Sequence, residues 1–233
     1  GVQWGEDCYW AGIQFLYGTG GNMHRSPYSG RNYGYYSEDP VICGYTAAYV
    51  NKGMQSMGAQ MFMKHCFLND QEVNRCGASS WANEQTCREV YLKTYQICIE
   101  VGNLQGVMTA LNRIGPVAAP HHPFMNTVLR DEFGMHGCNI TDSMMPFNTN
   151  PTMTLNGLDL PLGGSAIDNK YKEGYANVAW AMRRNIHNVL YATAHSSAMN
   201  GLSSNRRIVS FDPAWQVYLA HYAELVELLW FIS

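Results

Sequence analysis

An aspartate closes one short apolar run of the chain, and a Lys-His pair closes another. Asp142 ends Gly137-Cys138-Asn139-Ile140-Thr141-Asp142, and Lys64-His65 ends Ala59-Gln60-Met61-Phe62-Met63-Lys64-His65. Runs of this length and character read as buried strands. In barrels of parallel strands, chemistry collects at the C-terminal ends. A carboxylate there can act as a nucleophile, and an ammonium beside an imidazole can grip sugar hydroxyls. An Asp closing an apolar strand costs several kcal/mol if buried unpaired, so it must face a polar site. The alternative for Asp142 is the N-cap of the segment that follows. For Lys64 and His65 it is an ordinary surface or structural place. Adjacent strand residues point to opposite faces, but at a strand exit both can reach one pocket.

Other groups are weighed against these. The loop Asn69-Asp70-Gln71-Glu72-Val73-Asn74-Arg75 is dense in hydrogen-bonding side chains, as a binding loop or as a solvated loop with internal ion pairs. Arg25 and Arg31 flank a Gly/Pro turn; guanidinium forks suit hydroxyls and carboxylates, or Arg31 braces the turn on Glu38 or Asp39. His121-His122 has no third ligand at metal spacing, so no metal site is expected. Gly18-Thr19-Gly20-Gly21 lacks the Lys-Ser/Thr of a phosphate loop. Arg183-Arg184 reads as a solvated helix face, and His195-Ser196-Ser197 forms no GxSxG elbow.

The elements that must position these groups alternate. An apolar run, Ile13 to Tyr17, comes first. Ser37-Glu38-Asp39-Pro40 reads as a helix start, and the helix runs to about Met57 before Gly58. Then come the strand 59–65, a long polar loop 67–83, a helix 84–101, a strand 105–111, a helix 123–133 and the strand 137–141. Residues 143–168 read as loop, followed by two long helices, about 169–195 and 213–231. Strand, loop, helix, repeated, predicts parallel strands with outer crossover helices. About four such units can be counted. With no linker or charge block, one domain over 1–233 is expected.

Composition narrows the classes. The chain has 233 residues, a net charge of -3 and only 14% charged residues. That excludes an electrostatic case for nucleic acid or an anionic membrane. The seven cysteines form no CxxC pair, and reduced thiols in a cytoplasmic setting are expected. No signal peptide is visible at the N-terminus. The most apolar stretch, Trp215 to Ile232, is interrupted by Glu224 and Glu227 and reads as a packed amphipathic helix, so no membrane span is expected.

Taken together, these segments resemble glycoside hydrolase family 3, the β-glucosidase-like family. Arg25-Ser26-Pro27 through Gly30-Arg31-Asn32 to Tyr36-Ser37-Glu38-Asp39-Pro40 is similar to its R-x-P-x-x-G-R-N-x-x-Y-x-S-E-D-P signature. Lys64-His65 with Asn69, Glu72 and Arg75 resembles its K-H-F loop, with Cys66 at the Phe. Gly106-Val107-Met108-Thr109 with Asn112-Arg113 resembles its next strand, and Leu129-Arg130-Asp131-Glu132-Phe133-Gly134 to Ile140-Thr141-Asp142 its nucleophile strand. The similarity continues through Asp159-Leu160-Pro161-Leu162-Gly163-Gly164 and the helix 174–194, so that about residues 20–205 are covered.

The resemblance implies an α/β fold, a TIM-type (β/α) barrel, here incomplete and followed by C-terminal helices. It implies removal of β-linked glucose or a related sugar by a retaining mechanism. Asp142 would be the nucleophile, with Arg31, Lys64, His65, Arg75 and Met108 around the sugar, and no metal or organic cofactor. A second carboxyl about 5–5.5 Å away would protonate the leaving oxygen and then activate water. Glu72 is the candidate within this chain. Three departures stand out. Only about 20 residues precede the Arg25 loop, where the family has earlier strands with a sugar-binding Asp. The family's acid/base usually comes from a separate α/β sandwich domain, which is not seen in this sequence. Leu111 stands where Tyr is common. A slow aryl β-glucosidase fits best, because a good leaving group needs little protonation. The second hypothesis is a sugar-binding or assembly subunit that needs a complementing chain or self-association, since a half-barrel leaves open edges. The third is a fragment of a longer protein, with which the start at Gly1 is compatible.

Overall fold

The computed structural model describes residues 1–143, 151–162, 176–200, 216 and 218–222. The chain forms two units, Gly1–Asn200 and Gly201–Ser233. Of the second unit, the described residues 216 and 218–222 are helical, and the rest of the helix expected over 213–231 lies outside the described residues.

In the first unit, helix α1 (Val2–Trp10) precedes strand β1 (Phe15–Leu16). Helix α2 (Pro40–Ser56) starts where the sequence places it. The Asp39 carboxylate accepts from the Val41 and Ile42 amides at 2.7 and 2.9 Å, and Pro40 takes the first helical position. Gly58, at φ +83°, turns the chain out of the helix, a conformation that costs glycine nothing. The expected strand 59–65 is split by Phe62 into β2 (Gln60–Met61) and β3 (Met63–Cys66). The loop that follows contains a short strand, β4 (Ser79–Ser80). The expected helix 84–101 is present in three stretches: α3 (Glu84–Thr86), a π-helical segment Cys87–Tyr91, and α4 (Leu92–Glu100). Next come β5 (Gly106–Thr109) and the hairpin β6 (Arg113–Ile114) and β7 (Val117–Ala118). A π-helical segment Met125–Arg130 stands where a longer helix was expected. It leads to β8 (Cys138–Ser143), which includes Asp142 rather than ending before it.

The loop expected over 143–168 contains helix α5 (Pro151–Leu155) and strand β9 (Leu160–Leu162). The physical reason is a buried anchor. The Asp159 amide donates to the Asn139 carbonyl, and the Asp159 carboxylate accepts from the Asn139 amide and from Arg130. This lays the segment along β8 without a long apolar run. Helix α6 (Ala176–Ala194) follows; the earlier part of the helix expected from 169 lies outside the described residues.

The strands order as β1–β2 and β3–β5–β8–β9, all parallel, and β2 runs into β3. Helices α2 and α4 cover one face, where Ala47, Met54, Tyr95 and Cys98 pack on Met61, Met63 and Val107. The opposite face carries Phe62, Met108, Cys138 and Ile140 together with Ala192 of α6. Helix α6 crosses the strands' N-terminal ends. Asn185 donates to the Thr154 and Leu158 carbonyls, Asn188 donates to Asp159, and Gln60 donates to the His195 carbonyl. This is the incomplete (β/α) barrel expected from the sequence: among the described residues the sheet does not close, and β1 and β9 remain its edges. Strands β4, β6 and β7 form a separate small sheet from the loops after β3 and β5, at the opposite end from α6.

Candidate active site

The C-terminal ends of β3 and β8 bring Lys64, His65 and Asp142 to one place. Strand β5 lies between them in register, with Cys66 beside Thr109 and Val107 beside Asn139. The start of β8 is pinned by Arg130. Its guanidinium donates to the carbonyls of Met125, Gly157 and Gly137 and pairs with Asp159, whose side chain is fully buried. The register that carries Asp142 is therefore set at the far end of its own strand.

Asp142 is held by few bonds. Its Oδ1 accepts from the Ser143 amide at 2.7 Å. Its Oδ2 lies 3.4 Å from His65 Nε2 and 3.7 Å from Arg75 Nη1, and is buried without a hydrogen-bond partner among the described residues. A carboxylate oxygen with a free lone pair, flanked by a cation and an imidazole, can attack an electrophilic carbon. The segment that Asp142 would cap includes 144–150, outside the described residues.

The opposing wall comes from the loop 20–36. Gly20 is required there: a Cβ on it would stand 1.8 Å from the Gly34 carbonyl oxygen. The close approach lets the Arg31–Tyr35 segment lie beside β3, where Lys64 pairs with the backbone of Thr19 and Gly21 at 2.8 and 2.7 Å. Arg31 does not brace its own turn on Glu38 or Asp39. Its Nε meets Glu72 Oε2 at 3.1 Å, and Asp39 is occupied as the α2 cap. Arg25 stacks over the Tyr91 ring, 5.9 Å from its centroid, and Tyr91 donates to Asp70.

Glu72 is the carboxylate brought near Asp142, since both reach Arg75 Nη1. Its two oxygens are already committed. Oε2 meets Arg31 and Arg75, and Oε1 accepts from Asn69 Nδ2 at 3.0 Å. Those bonds make Glu72 a brace between the two loops that carry Arg31 and Arg75. Met108 does not join the cluster either. It is packed among Phe62, Cys138, Ile140 and Ala192, and so supports the floor from below. Arg184, expected on a solvated face, instead donates to the Thr154 and Leu155 carbonyls and ties α6 to α5.

Burial pushes the His65 imidazole down to about 4, against the upward pull of Asp142; Arg31, Lys64 and Arg75 add to the depression. His65 is therefore neutral at pH 7. Burial also lowers Lys64, opposed by Asp142. Among the described residues no group of three or more His, Cys, Asp or Glu could hold a metal ion, and all seven cysteines are free thiols. No described helix is long and apolar enough to cross a membrane.

Tyr35, one of the chain's 15 tyrosines, belongs to this cluster and falls on the Tyr of the R-x-P-x-x-G-R-N-x-x-Y-x-S-E-D-P signature, although no role was expected for it. Its hydroxyl lies 3.2 Å from His65 Nδ1.

The same fold occurs in solved β-glucosidases. The enzyme from Paenibacillus barengoltzii superposes with a TM-score of 0.80 at 27% identity, over 90% of this chain and 25% of that one. β-Glucosidase 3B from Thermotoga neapolitana, solved in complex with glucose, gives 0.75 at 28% identity, over 83% of this chain and 29% of that one. In sequence, a probable β-glucosidase I from Emericella nidulans is 32% identical over 161 residues, 69% of this chain and 19% of that protein. A β-glucosidase from Ruminococcus albus is 37% identical over 131 residues, 56% of this chain and 14% of that protein. The chain thus spans about a fifth or less of the length of these curated relatives. Residues 2–153 match the glycosyl hydrolase family 3 N-terminal domain, and the chain belongs to that family.

Proposed function

We propose that this chain carries the sugar-binding and nucleophilic half of a retaining β-glycosidase acting on β-glucosides or a closely related sugar. One observation supports this above the others: Asp142 Oδ2 is buried, free of hydrogen bonds among the described residues, and flanked by His65 and Arg75 at the mouth of the parallel sheet. In the reaction, Asp142 Oδ2 bonds to the anomeric carbon as the bond to the leaving oxygen breaks. Water then hydrolyses the glycosyl ester and restores the configuration. Lys64 and the arginines supply charge-assisted hydrogen bonds to the hydroxyls that surround the carbon. Glu72 holds Arg31 and Arg75 in place. The leaving oxygen needs a proton from elsewhere, so substrates with acidic leaving groups react best. Hydrolysis of an aryl β-glucoside by wild type and by Asp142→Ala is the test. Equal rates in the two proteins overturn the assignment.

A second reading is a sugar-binding portion that turns over only with a complementing chain or a second copy. The edges β1 and β9 and the exposed Trp4, Tyr9 and Trp10 of α1 favour it. A mass measurement in solution checks it: a monodisperse monomer with full aryl glucosidase activity excludes completion by a partner.

A further inference from the structure

Tyr35 Oη and Asn69 make no hydrogen bond to Asp142 among the described residues, but they are bonded in series behind its neighbour His65. Asn69 Nδ2 donates to Glu72 Oε1 at 3.0 Å and to Tyr35 Oη at 2.9 Å. A carboxylate accepts only, so it fixes the orientation of the Asn69 amide, with nitrogen toward Glu72 and Tyr35. The Tyr35 oxygen therefore accepts from Asn69. Its single proton has His65 Nδ1 as its partner, at 3.2 Å. Nδ1 is then the acceptor, which leaves the ring proton on Nε2, the nitrogen that lies 3.4 Å from Asp142 Oδ2 without a hydrogen bond to it. The three residues are nearly sealed from solvent: Tyr35 is 6% exposed, His65 2% and Asn69 0%. Water cannot readily replace a missing link there. The Asn69 backbone is itself clamped, because its N–H donates to Asn22 Oδ1 and its carbonyl accepts from Asn22 Nδ2.

We propose that Tyr35 and Asn69 are positioning residues, forming a one-way hydrogen-bond chain from Glu72 through Asn69 and Tyr35 that holds His65 as the neutral Nε2–H tautomer. His65 is then a fixed donor on the side of the ring that faces Asp142, open to a sugar hydroxyl placed there, and never a general base. The burial that keeps the ring neutral acts in the same direction. The charged groups around the ring, Asp142 on β8, Lys64 beside it on β3, and Arg31 and Arg75 on the two loops, do not change the order of donors in the chain.

The proposal rests on the sugar-site reading only for its consequence, and its test needs no turnover. Long-range 1H–15N spectra of the full chain, without sugar, report which ring nitrogen carries the proton. His65→Gln identifies the His65 signals by their loss. The wild type is expected to show a protonated Nε2 and an accepting Nδ1 from pH 5 to 8. In Tyr35→Phe, the Nδ1 resonance moves toward that of an unbonded nitrogen and the Nδ1–H tautomer gains population. In Asn69→Asp, a second acceptor draws the Tyr35 proton away, and the Nδ1–H tautomer becomes the major one. A wild type with its proton on Nδ1 overturns the proposal even if both variants fail to fold. So does a folded Tyr35→Phe with an unchanged His65 spectrum. A glucose titration of the same samples separates the two ideas. An Nε2–H, Tyr35-dependent ring without glucose binding leaves the chain standing and removes the sugar site, and glucose binding with an Nδ1–H ring does the reverse.

Discussion

His65 Nε2 stands 3.4 Å from Asp142 Oδ2, although the two residues lie on β3 and β8, with β5 between them. The contact therefore measures the twist and register of three strands at once. It also leaves Oδ2 buried beside His65 and Arg75 without a hydrogen bond among the described residues, which suits a nucleophile that must be oriented without being blocked.

The nucleophilic role proposed for Asp142 can be tested by trapping. A 2-deoxy-2-fluoro-β-glucoside with a dinitrophenolate leaving group slows both chemical steps but restores the first, and that step then needs no acid. Asp142 is expected to accumulate as a glycosyl ester, seen as a mass increase of one fluorosugar on the peptide that contains it. Asp142→Ala is expected to lose roughly a thousandfold or more in rate on aryl β-glucosides and to show no adduct. Labelling of any other carboxylate removes Asp142 from the role.

Glu72 separates a brace from an acid by its dependence on the leaving group. Glu72→Gln keeps the shape and removes the charge that holds Arg31 and Arg75. The expected result is a loss of roughly tenfold or more in kcat/KM, by the same factor for dinitrophenyl and alkyl glucosides, mostly in KM. A loss that is large for alkyl glucosides and absent for dinitrophenyl glucoside restores Glu72 as the proton donor.

His65 links stability to pH. Its value falls from 6.5 to about 4 in the folded protein, chiefly because burial disfavours the charged ring. The unfolded chain thus binds a proton that the folded chain refuses. The stabilisation is complete above about pH 6.5 and is lost as pH falls toward 4, by an amount on the order of 3 kcal/mol. Melting temperatures measured from pH 4 to 7.5 are expected to rise more steeply for wild type than for His65→Gln. Parallel curves for the two proteins show that the ring takes up its proton without unfolding.

Much of the site was legible because its signals are local. Asp39-Pro40 caps α2 through amides two and three residues away, and Asp142 and Lys64-His65 end apolar runs that became β8 and β3. What the sequence hid depends on distant partners. Tyr35 falls on the Tyr of the signature, but its hydrogen bonds to Asn69 and His65 reach about thirty residues on, and no local pattern shows them. Strand β9 is three residues long and contains a proline, so its pairing follows from Asp159, a residue type normally assigned to the surface. Helix α1 has no side-chain cap and buries only Gly5 and Cys8, so periodicity gave it little voice. Met108 matched a motif but its strand face turns it toward α6, and side-chain direction along a strand depends on register that no local pattern fixes.

The Arg130–Asp159 pair is where that hidden register can be tested. Asp159 is fully buried and accepts from Arg130, the Asn139 amide and Asn188, at the junction of β8, β9 and α6. Arg130→Met keeps the volume and strands a buried carboxylate, which costs about 3–5 kcal/mol. The cost is expected as a lower urea midpoint with little change in slope. Arg130→Met combined with Asp159→Asn removes the charge and keeps an acceptor for Asn139, so it should recover a large part of the loss, a coupling that two independent surface residues would not show. If β8 is positioned from this end, Arg130→Met also weakens trapping at Asp142 under conditions where the variant is folded. A single variant within about 1 kcal/mol of wild type, with normal trapping, shows that the register is held by the strand pairing alone.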